Sequence, residues 1–115
     1  MASRTEKPWG HELLWSKTEH YAGKIIHIEP GHRLSLQYHD HKHESILVIR
    51  GRLLLTLGAD EQSRVVELAE GESADIPAGM VHRFEAPHDS SVDLIEVSTP
   101  QLDDVVRLAD DYERA

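Results

Sequence analysis

The sequence predicts a single all-β domain, a sandwich or barrel of about eight strands. Short runs rich in Ile, Leu and Val follow one another at intervals of roughly ten residues, a spacing typical of such folds. Turn residues such as Pro30-Gly31, Gly51 and Pro77-Ala78-Gly79 separate the runs. The predicted strands are Ala22–Glu29, Arg33–His39, Glu44–Arg50, Arg52–Leu57, Arg64–Leu68, Ser73–Ile76, Val81–Glu85 and Val92–Ser98.

The chain has 115 residues, the length of one domain, and it contains no linker, internal repeat or low-complexity tract. We expect an N-terminal arm over residues 1–20, a barrel over residues 21–99 and a tail over residues 100–115. In the tail, apolar residues recur with roughly helical spacing, which predicts a short C-terminal helix over Leu102–Tyr112.

The composition argues against several classes of protein. Twenty-one acidic residues against twelve basic ones give a net charge of −9 without a basic cluster, so nucleic acid and acidic membrane surfaces are poor partners. No apolar run approaches the roughly 18–20 residues of a membrane span, and the N-terminus lacks an apolar signal region. Cysteine is absent, which removes disulfides and thiolate chemistry. We expect a cytoplasmic protein with a small-molecule partner, assembled as a homodimer by default.

Nine histidines point to metal binding. If the second predicted strand continues, His39 and His41 share one face, and Glu44 follows after a short turn. A distant block, G-x5-P-x-G-x2-H from Gly71 to His82, presents a further imidazole. The predicted ligands of one divalent ion are therefore His39, His41, Glu44 and His82. The alternative is a polar barrel mouth whose histidines are simply solvated.

The two blocks resemble the two motifs of the cupin superfamily, which are small jelly-roll barrels. The first motif is often written G-x5-H-x-H-x3,4-E-x6-G. Here six residues separate Glu44 from Gly51, but only two separate His41 from Glu44. The second motif, G-x5-P-x-G-x2-H-x3-N, is matched up to its last position, where Ala86 replaces Asn.

Within the cupins, the chain resembles the C-terminal domain of type II phosphomannose isomerases nearly end to end. The matching segments are Lys7-Pro8-Trp9-Gly10, Pro30-Gly31-His32-Arg33-Leu34-Ser35-Leu36-Gln37, His39-Asp40-His41-Lys42-His43-Glu44 and Ile76-Pro77-Ala78-Gly79-Met80-Val81-His82-Arg83. The resemblance implies a single-domain cupin double-stranded β-helix that binds a metal ion. It also implies aldose–ketose isomerisation of a sugar or sugar phosphate such as mannose 6-phosphate.

Three residues near the ligands are candidates for further roles. Gln37 shares the inward face and is expected to bind substrate, whereas His43 is a candidate for proton transfer. Lys42 would act as a point charge toward an anionic substrate. The family usually has Arg at the position of Lys42 and His at that of Ser45, so we expect weak or absent turnover. There is no glycine-rich nucleotide loop, which argues against nucleotidyl transfer.

The chemistry of the predicted ligands leaves the metal and the reaction open. Three nitrogens and one oxygen admit Zn, Mn, Fe, Co or Ni, with one ion per chain. One alternative function is Fe(II)-dependent dioxygenase chemistry, which the same ligand set supports in other cupins. The other is a non-catalytic module that binds a sugar or another metabolite.

Overall fold

The computed structural model describes residues 2–114, which form two antiparallel sheets whose inner faces share one hydrophobic core. One sheet has the strand order β1-β2-β3-β10-β5-β8 and the other β11-β4-β9-β6-β7. The strands are β1 Ser3–Lys7, β2 Gly10–Lys17, β3 Ala22–Ile28, β4 Leu36–Tyr38, β5 Glu44–Arg50, β6 Leu53–Leu57, β7 Arg64–Leu68, β8 Ser73–Ile76, β9 His82–Glu85, β10 Val92–Ser98 and β11 Val106–Ala109, and a 3-10 turn spans Asp60–Gln62. The all-β prediction is confirmed.

Four strands, β5, β7, β8 and β10, have the bounds that the apolar runs predict. The second predicted strand is much shorter than expected, because β4 begins only at Leu36 and ends at Tyr38, after which the chain bends away. Strands β1 and β2 lie in the predicted N-terminal arm and pair as a hairpin at the edge of the larger sheet. Their polar sequences carry little of the alternation by which a strand is recognised.

The predicted C-terminal helix is wrong. Turns occupy the beginning of that segment, and Val106–Ala109 then forms β11, which pairs with β4 through Val106 and Tyr38 and through Arg107 and Gln37. An isolated helix of eleven residues or fewer has marginal stability in water, whereas the edge of β4 offers backbone N–H and C=O groups that a further strand can pair with. Pairing at that edge therefore outcompetes the weak helical periodicity. Within residues 2–114 the chain forms no helix long and apolar enough to cross a membrane.

The inner faces of the sheets are apolar at one end of the strands and polar at the other. The candidate functional site lies at the polar end. In β10, Val92 and Leu94 are fully buried core residues, but Glu96 continues the same inward face. In β5 the order is reversed, because buried Glu44 precedes the core residue Ile46. Since β5 and β10 are antiparallel neighbours, both carboxylates lie at the same end of the fold. Burying charged groups costs free energy unless they find partners, so this polar end calls for a functional explanation.

Candidate functional site

Three of the predicted ligands come together at the polar end of the fold. His39 follows β4, Glu44 is the first residue of β5, and His82 is the first residue of β9. One ligand atom from each residue lies within 4.8 Å of the others. All three side chains are buried, with exposed fractions of 4% or less. We refer to these residues as the His–Glu–His cluster.

The chemistry of the cluster fits a divalent cation. Nε2 of His82 lies 3.2 Å from Oε1 of Glu44, and Nε2 of His39 lies 3.6 Å from Oε2. Neither contact has the geometry of a hydrogen bond, so both imidazole nitrogens and both carboxylate oxygens are buried without a hydrogen-bond partner. A buried polar atom without a partner costs about 1–3 kcal/mol. A cation held by these four converging atoms would remove that cost, and nitrogen and oxygen donors suit a first-row divalent ion.

The other ring nitrogen of each histidine fixes the tautomer. Nδ1 of His39 donates to the carbonyl of Asp104 at 2.5 Å, and Nδ1 of His82 donates to the carbonyl of Met80 at 2.9 Å. A carbonyl oxygen can only accept, so each Nδ1 must carry a proton in these contacts. The lone pair of each neutral ring is therefore on Nε2, which faces the cluster, as metal-binding histidines require.

The protonation states also favour a cation. Burial lowers the pKa of His39, against the opposing effect of its hydrogen bond to the Asp104 carbonyl, so the ring is neutral at neutral pH. Burial alone would raise the pKa of Glu44, but His82 and the Lys42 ammonium outweigh it and hold the pKa at about 2. The cluster thus presents the neutral imidazole of His39 and the charged carboxylate of Glu44, which are the protonation states in which both bind a metal ion.

His41 and His43 lie outside the cluster. The backbone N–H groups of Asp40, His41 and Lys42 all donate to the carboxylate of Asp104, at 2.9, 2.7 and 2.9 Å. This bend breaks the alternation on which His41 depended, and its side chain is exposed. His43 is also exposed and lines an outer groove together with Ser45 and Asp75, and Glu44 of the cluster lines the same groove. The role of either histidine as ligand or proton carrier therefore stays a prediction.

Gln37 fits the first cupin motif in a register that the sequence analysis missed. Counting from Gly31, the spacing G-x5-Gln37-x-His39-x4-Glu44-x6-Gly51 satisfies the motif in full, with Gln at the first histidine position. In the structure Gln37 is paired with His82 between β4 and β9. Its Oε1 accepts a hydrogen bond from Ser35 at 2.6 Å. The spacing from Gly31 is the signal in the sequence: it assigns Gln37 and His39, rather than His39 and His41, to the two histidine positions of the motif.

Lys42 and Glu96 extend the charged interior beyond the cluster. Lys42 is 5% exposed, and its Nζ lies 3.1 Å from Oε2 of Glu44 and 3.6 Å from Oε2 of Glu96. Burial disfavours the charged form of Lys42, but Glu96 and Glu44 together raise its pKa. Burial and the nearby Glu44 raise the pKa of Glu96 to about 8. The sequence alone does not place Glu96 among the site residues. In β10, however, Glu96 alternates in step with Val92 and Leu94, and it therefore shares their inward face.

A cavity of about 490 Å³ opens beside the cluster, and we call it the barrel cavity. It is large enough for a small metabolite. His39 is one of the residues that line it, and the other polar lining residues are Ser3, Thr5, Lys7, Glu12, Lys24, Gln37, Lys42, Glu96, Asp103, Arg107 and Arg114. The cavity therefore offers a polar, highly charged environment rather than an apolar one.

The sequence is similar to a known family over nearly all of its length. A family model described as "Mannose-6-phosphate isomerase C-terminal" matches residues 1–110. The chain is 39% identical over 111 residues to a mannose-1-phosphate guanylyltransferase of Escherichia coli strain K12, covering 94% of this chain and 22% of that protein. It is 35% identical over 111 residues to the xanthan biosynthesis protein XanB of Xanthomonas campestris, and the match covers 94% of this chain and 23% of XanB. The chain thus spans about a fifth of the length of these relatives.

Solved structures share the fold at lower sequence identity. The capsular polysaccharide assembling protein CapF of Staphylococcus aureus superposes with a TM-score of 0.82 and 20% identity, covering 95% of this chain and 34% of CapF. A structure of oxalate decarboxylase gives a TM-score of 0.78 and 21% identity, covering 92% and 30%. Another study of that enzyme, from Bacillus subtilis, concerns its Mn(II) centres. These likenesses confirm the predicted cupin fold.

Proposed function

The chain belongs to the mannose-6-phosphate isomerase C-terminal family, and on that basis we propose that it binds a sugar phosphate at a divalent metal ion in the barrel cavity. We further propose that aldose–ketose isomerisation is the reaction this site supports. The observation that carries the metal proposal is the set of four buried donor atoms in the His–Glu–His cluster that lack a hydrogen-bond partner. The family and the sugar-phosphate names of the relatives support the substrate class.

The metal proposal includes Gln37 as a fourth ligand. Gln37 and His39 are two residues apart on either side of Tyr38, and Gln37 is paired with His82 across the ladder. Its amide oxygen is a neutral donor that the same first-row ions accept. A divalent ion bound here would polarise the carbonyl and the adjacent hydroxyl of an open-chain sugar.

The protein groups beside the cluster would handle the proton. Isomerisation moves a proton from one carbon to its neighbour through an ene-diolate, so a group in the cavity must accept that proton and return it. Glu96 lines the barrel cavity and is held by Lys42, whose Nζ lies 3.6 Å from it. We therefore propose the ionised form of Glu96 as the proton carrier and Lys42 as the residue that positions it; with a pKa of about 8, this form becomes more abundant as the pH rises above neutral. His43 and the Ser45 hydroxyl lie in the outer groove instead.

The test is metal analysis of the purified chain, followed by calorimetric titration with mannose and mannose 6-phosphate. We expect one divalent ion per chain and sugar binding that disappears with a chelator. A chain that binds no metal under any loading condition would overturn the proposal. Bound redox-active iron with oxygen consumption would favour the dioxygenase alternative, and sugar binding without turnover would favour the non-catalytic module. The cytoplasmic location and the homodimer also remain proposals, and light scattering tests the assembly.

A further inference from the structure

Three charged residues from three successive strands meet at the mouth of the barrel cavity. Lys7 ends β1, Glu12 lies in β2, and Lys24 lies in β3. Nζ of Lys24 is 3.1 Å from Oε1 of Glu12, and Nζ of Lys7 is 4.0 Å from the same oxygen. The three side chains are 14–28% exposed, so they are shielded from bulk water without being sealed off.

This group of residues carries a surplus positive charge. Two ammonium groups share one carboxylate, which leaves one positive charge uncompensated within the trio. Over the whole lining of the cavity, basic residues outnumber acidic ones, the basic residues being Lys7, Lys24, Lys42, Arg107 and Arg114 and the acidic ones Glu12, Glu96 and Asp103. A local surplus of this sign is notable in a chain whose net charge is −9. Partly buried charges attract a counter-ion more strongly than exposed ones do, because less water screens them.

The distance between the Lys7–Glu12–Lys24 trio and the His–Glu–His cluster sets the minimum length of a ligand that contacts both. Lys24 is the ladder partner of Glu96 between β3 and β10, and β10 in turn pairs with β5, where Glu44 lies. Glu96 is opposite Ile46, two residues beyond Glu44 in β5, so two strand spacings and a shift of two residues separate the backbones at Lys24 and Glu44, a distance of about 12 Å. Inorganic phosphate is too small to bridge that gap, whereas a phosphate joined to a polyol chain can extend across it.

We propose that Lys7 and Lys24 bind the phosphomonoester group of the ligand, while its carbonyl end lies at the His–Glu–His cluster. The inference rests on the proposed function and assigns the phosphate to a separate subsite at the cavity mouth. Glu12 holds the two lysines in place and limits the affinity for an anion. The subsite accordingly distinguishes a sugar phosphate from the unphosphorylated sugar.

The experiment compares calorimetric titrations of Mn²⁺-loaded chain with mannose 6-phosphate, mannose and inorganic phosphate, and repeats the phosphate titration after chelation. Lys24→Met should weaken mannose 6-phosphate binding about 10-fold or more, because it removes a charge-assisted contact, and leave mannose binding unchanged. Glu12→Gln should strengthen binding of mannose 6-phosphate and inorganic phosphate, because both lysines are then uncompensated. Lys17→Met is the matched control, since Lys17 is an exposed residue of β2 outside the cavity.

The outcomes separate this inference from the proposed function. Phosphate binding that persists after chelation, weakens in Lys24→Met and strengthens in Glu12→Gln supports the subsite even if no sugar binds. Phosphate binding that disappears with the metal, or that ignores both substitutions, overturns the subsite and leaves the metal proposal standing. Equal loss of mannose and mannose 6-phosphate binding in Lys24→Met also overturns it, because the lysine then acts on the whole site.

Discussion

Nδ1 of His39 donates to the backbone carbonyl of Asp104, while the carboxylate of Asp104 accepts three backbone N–H groups from the loop that follows His39. One residue of the C-terminal tail therefore fixes both the tautomer of a candidate ligand and the path of the chain beside it. These three N–H donors hold the pKa of Asp104 at about 2, so the carboxylate is charged throughout the neutral range. The tail is part of the site and not an appendage to the barrel.

Removing the Asp104 side chain should weaken metal binding. In Asp104→Ala three loop N–H groups lose their acceptor, although the backbone carbonyl that accepts from His39 remains. The loop that follows His39 is then less firmly held, and metal affinity should fall about 10- to 100-fold. The absorption spectrum of the Co²⁺-loaded chain should change as well, which a general loss of stability would not produce. Asp110→Ala is the control, because Asp110 holds Arg114 and contacts none of the three cluster residues. Equal metal affinity in the two variants would contradict the positioning role.

The geometry of the His–Glu–His cluster predicts which single-residue variants lose the metal ion and which keep it. His39→Ala and His82→Ala each remove an unpartnered nitrogen from the cluster, so the purified variants should contain little metal by mass spectrometry. His41→Ala should retain the ion, because the side chain of His41 is exposed and is not part of the His–Glu–His cluster. His88→Ala serves as a second control at an exposed position. Loss of metal in His41→Ala would restore the ligand set that the sequence predicts.

Predictions from the sequence hold where a pattern acts through neighbouring residues and fail where a distant segment intervenes. Alternating apolar residues suffice for β5 and β10, because their inner faces pack into the common core. The position of His41 depends on Asp104, which lies more than 60 residues away along the chain. The contact between Asp104 and this loop forms because the tail runs along β4 as a strand. The helical spacing of the tail predicts a different path, so the sequence does not indicate this contact. Glu96 belongs to the site only because β10 pairs with β5, and no local pattern reports that pairing.

Chelation should destabilise the chain in a pH-dependent way. A metal bound only by the folded state raises the melting temperature by mass action, so a chelator should lower it at neutral pH. Metal binds neutral imidazole, and protons compete with it as the pH falls. Because burial lowers the pKa of His39, this competition begins below the range of an exposed histidine. Calorimetric scans should show the chelator effect shrinking toward pH 5. An effect that is absent at every pH would argue against the metal.

Glu96 should make the metal-free chain less stable at high pH. Its pKa is about 8 in the folded state against an ordinary value of 4.5, so the folded chain holds a proton that the unfolded chain releases between these values. The stabilisation is therefore complete below pH 4.5 and is lost as the pH rises through 8. Glu96→Gln, which stays neutral, should be more stable than the unmodified chain at pH 9 but not at pH 4 in urea unfolding. Glu61→Gln, at an exposed position, should show no such difference.

Turnover of mannose 6-phosphate in a coupled assay should not depend on the side chain of Ser45. Ser45 donates to Oδ1 of Asp75 at 2.7 Å and lines the outer groove, so a histidine at this position would also point away from the cluster. Ser45→His should therefore leave the rate unchanged. We still expect slow turnover in the unmodified chain, because Lys42 lacks the bidentate fork of the Arg that the family usually has there.

Glu96→Gln distinguishes the proton carrier from a structural residue in the same assay. Removing one well-placed acid–base group should lower the rate by about 10²–10⁴, while metal content and calorimetric affinity for the sugar phosphate stay the same. Lys42→Arg, which restores the family's residue beside Glu96, should raise the rate and gives a faster background in which to repeat the Glu96 substitution. Rates of about 1–10³ s⁻¹ in the unmodified chain would show that the lysine suffices. An unaltered rate in Glu96→Gln would remove Glu96 from the reaction and leave proton transfer to another group in the cavity.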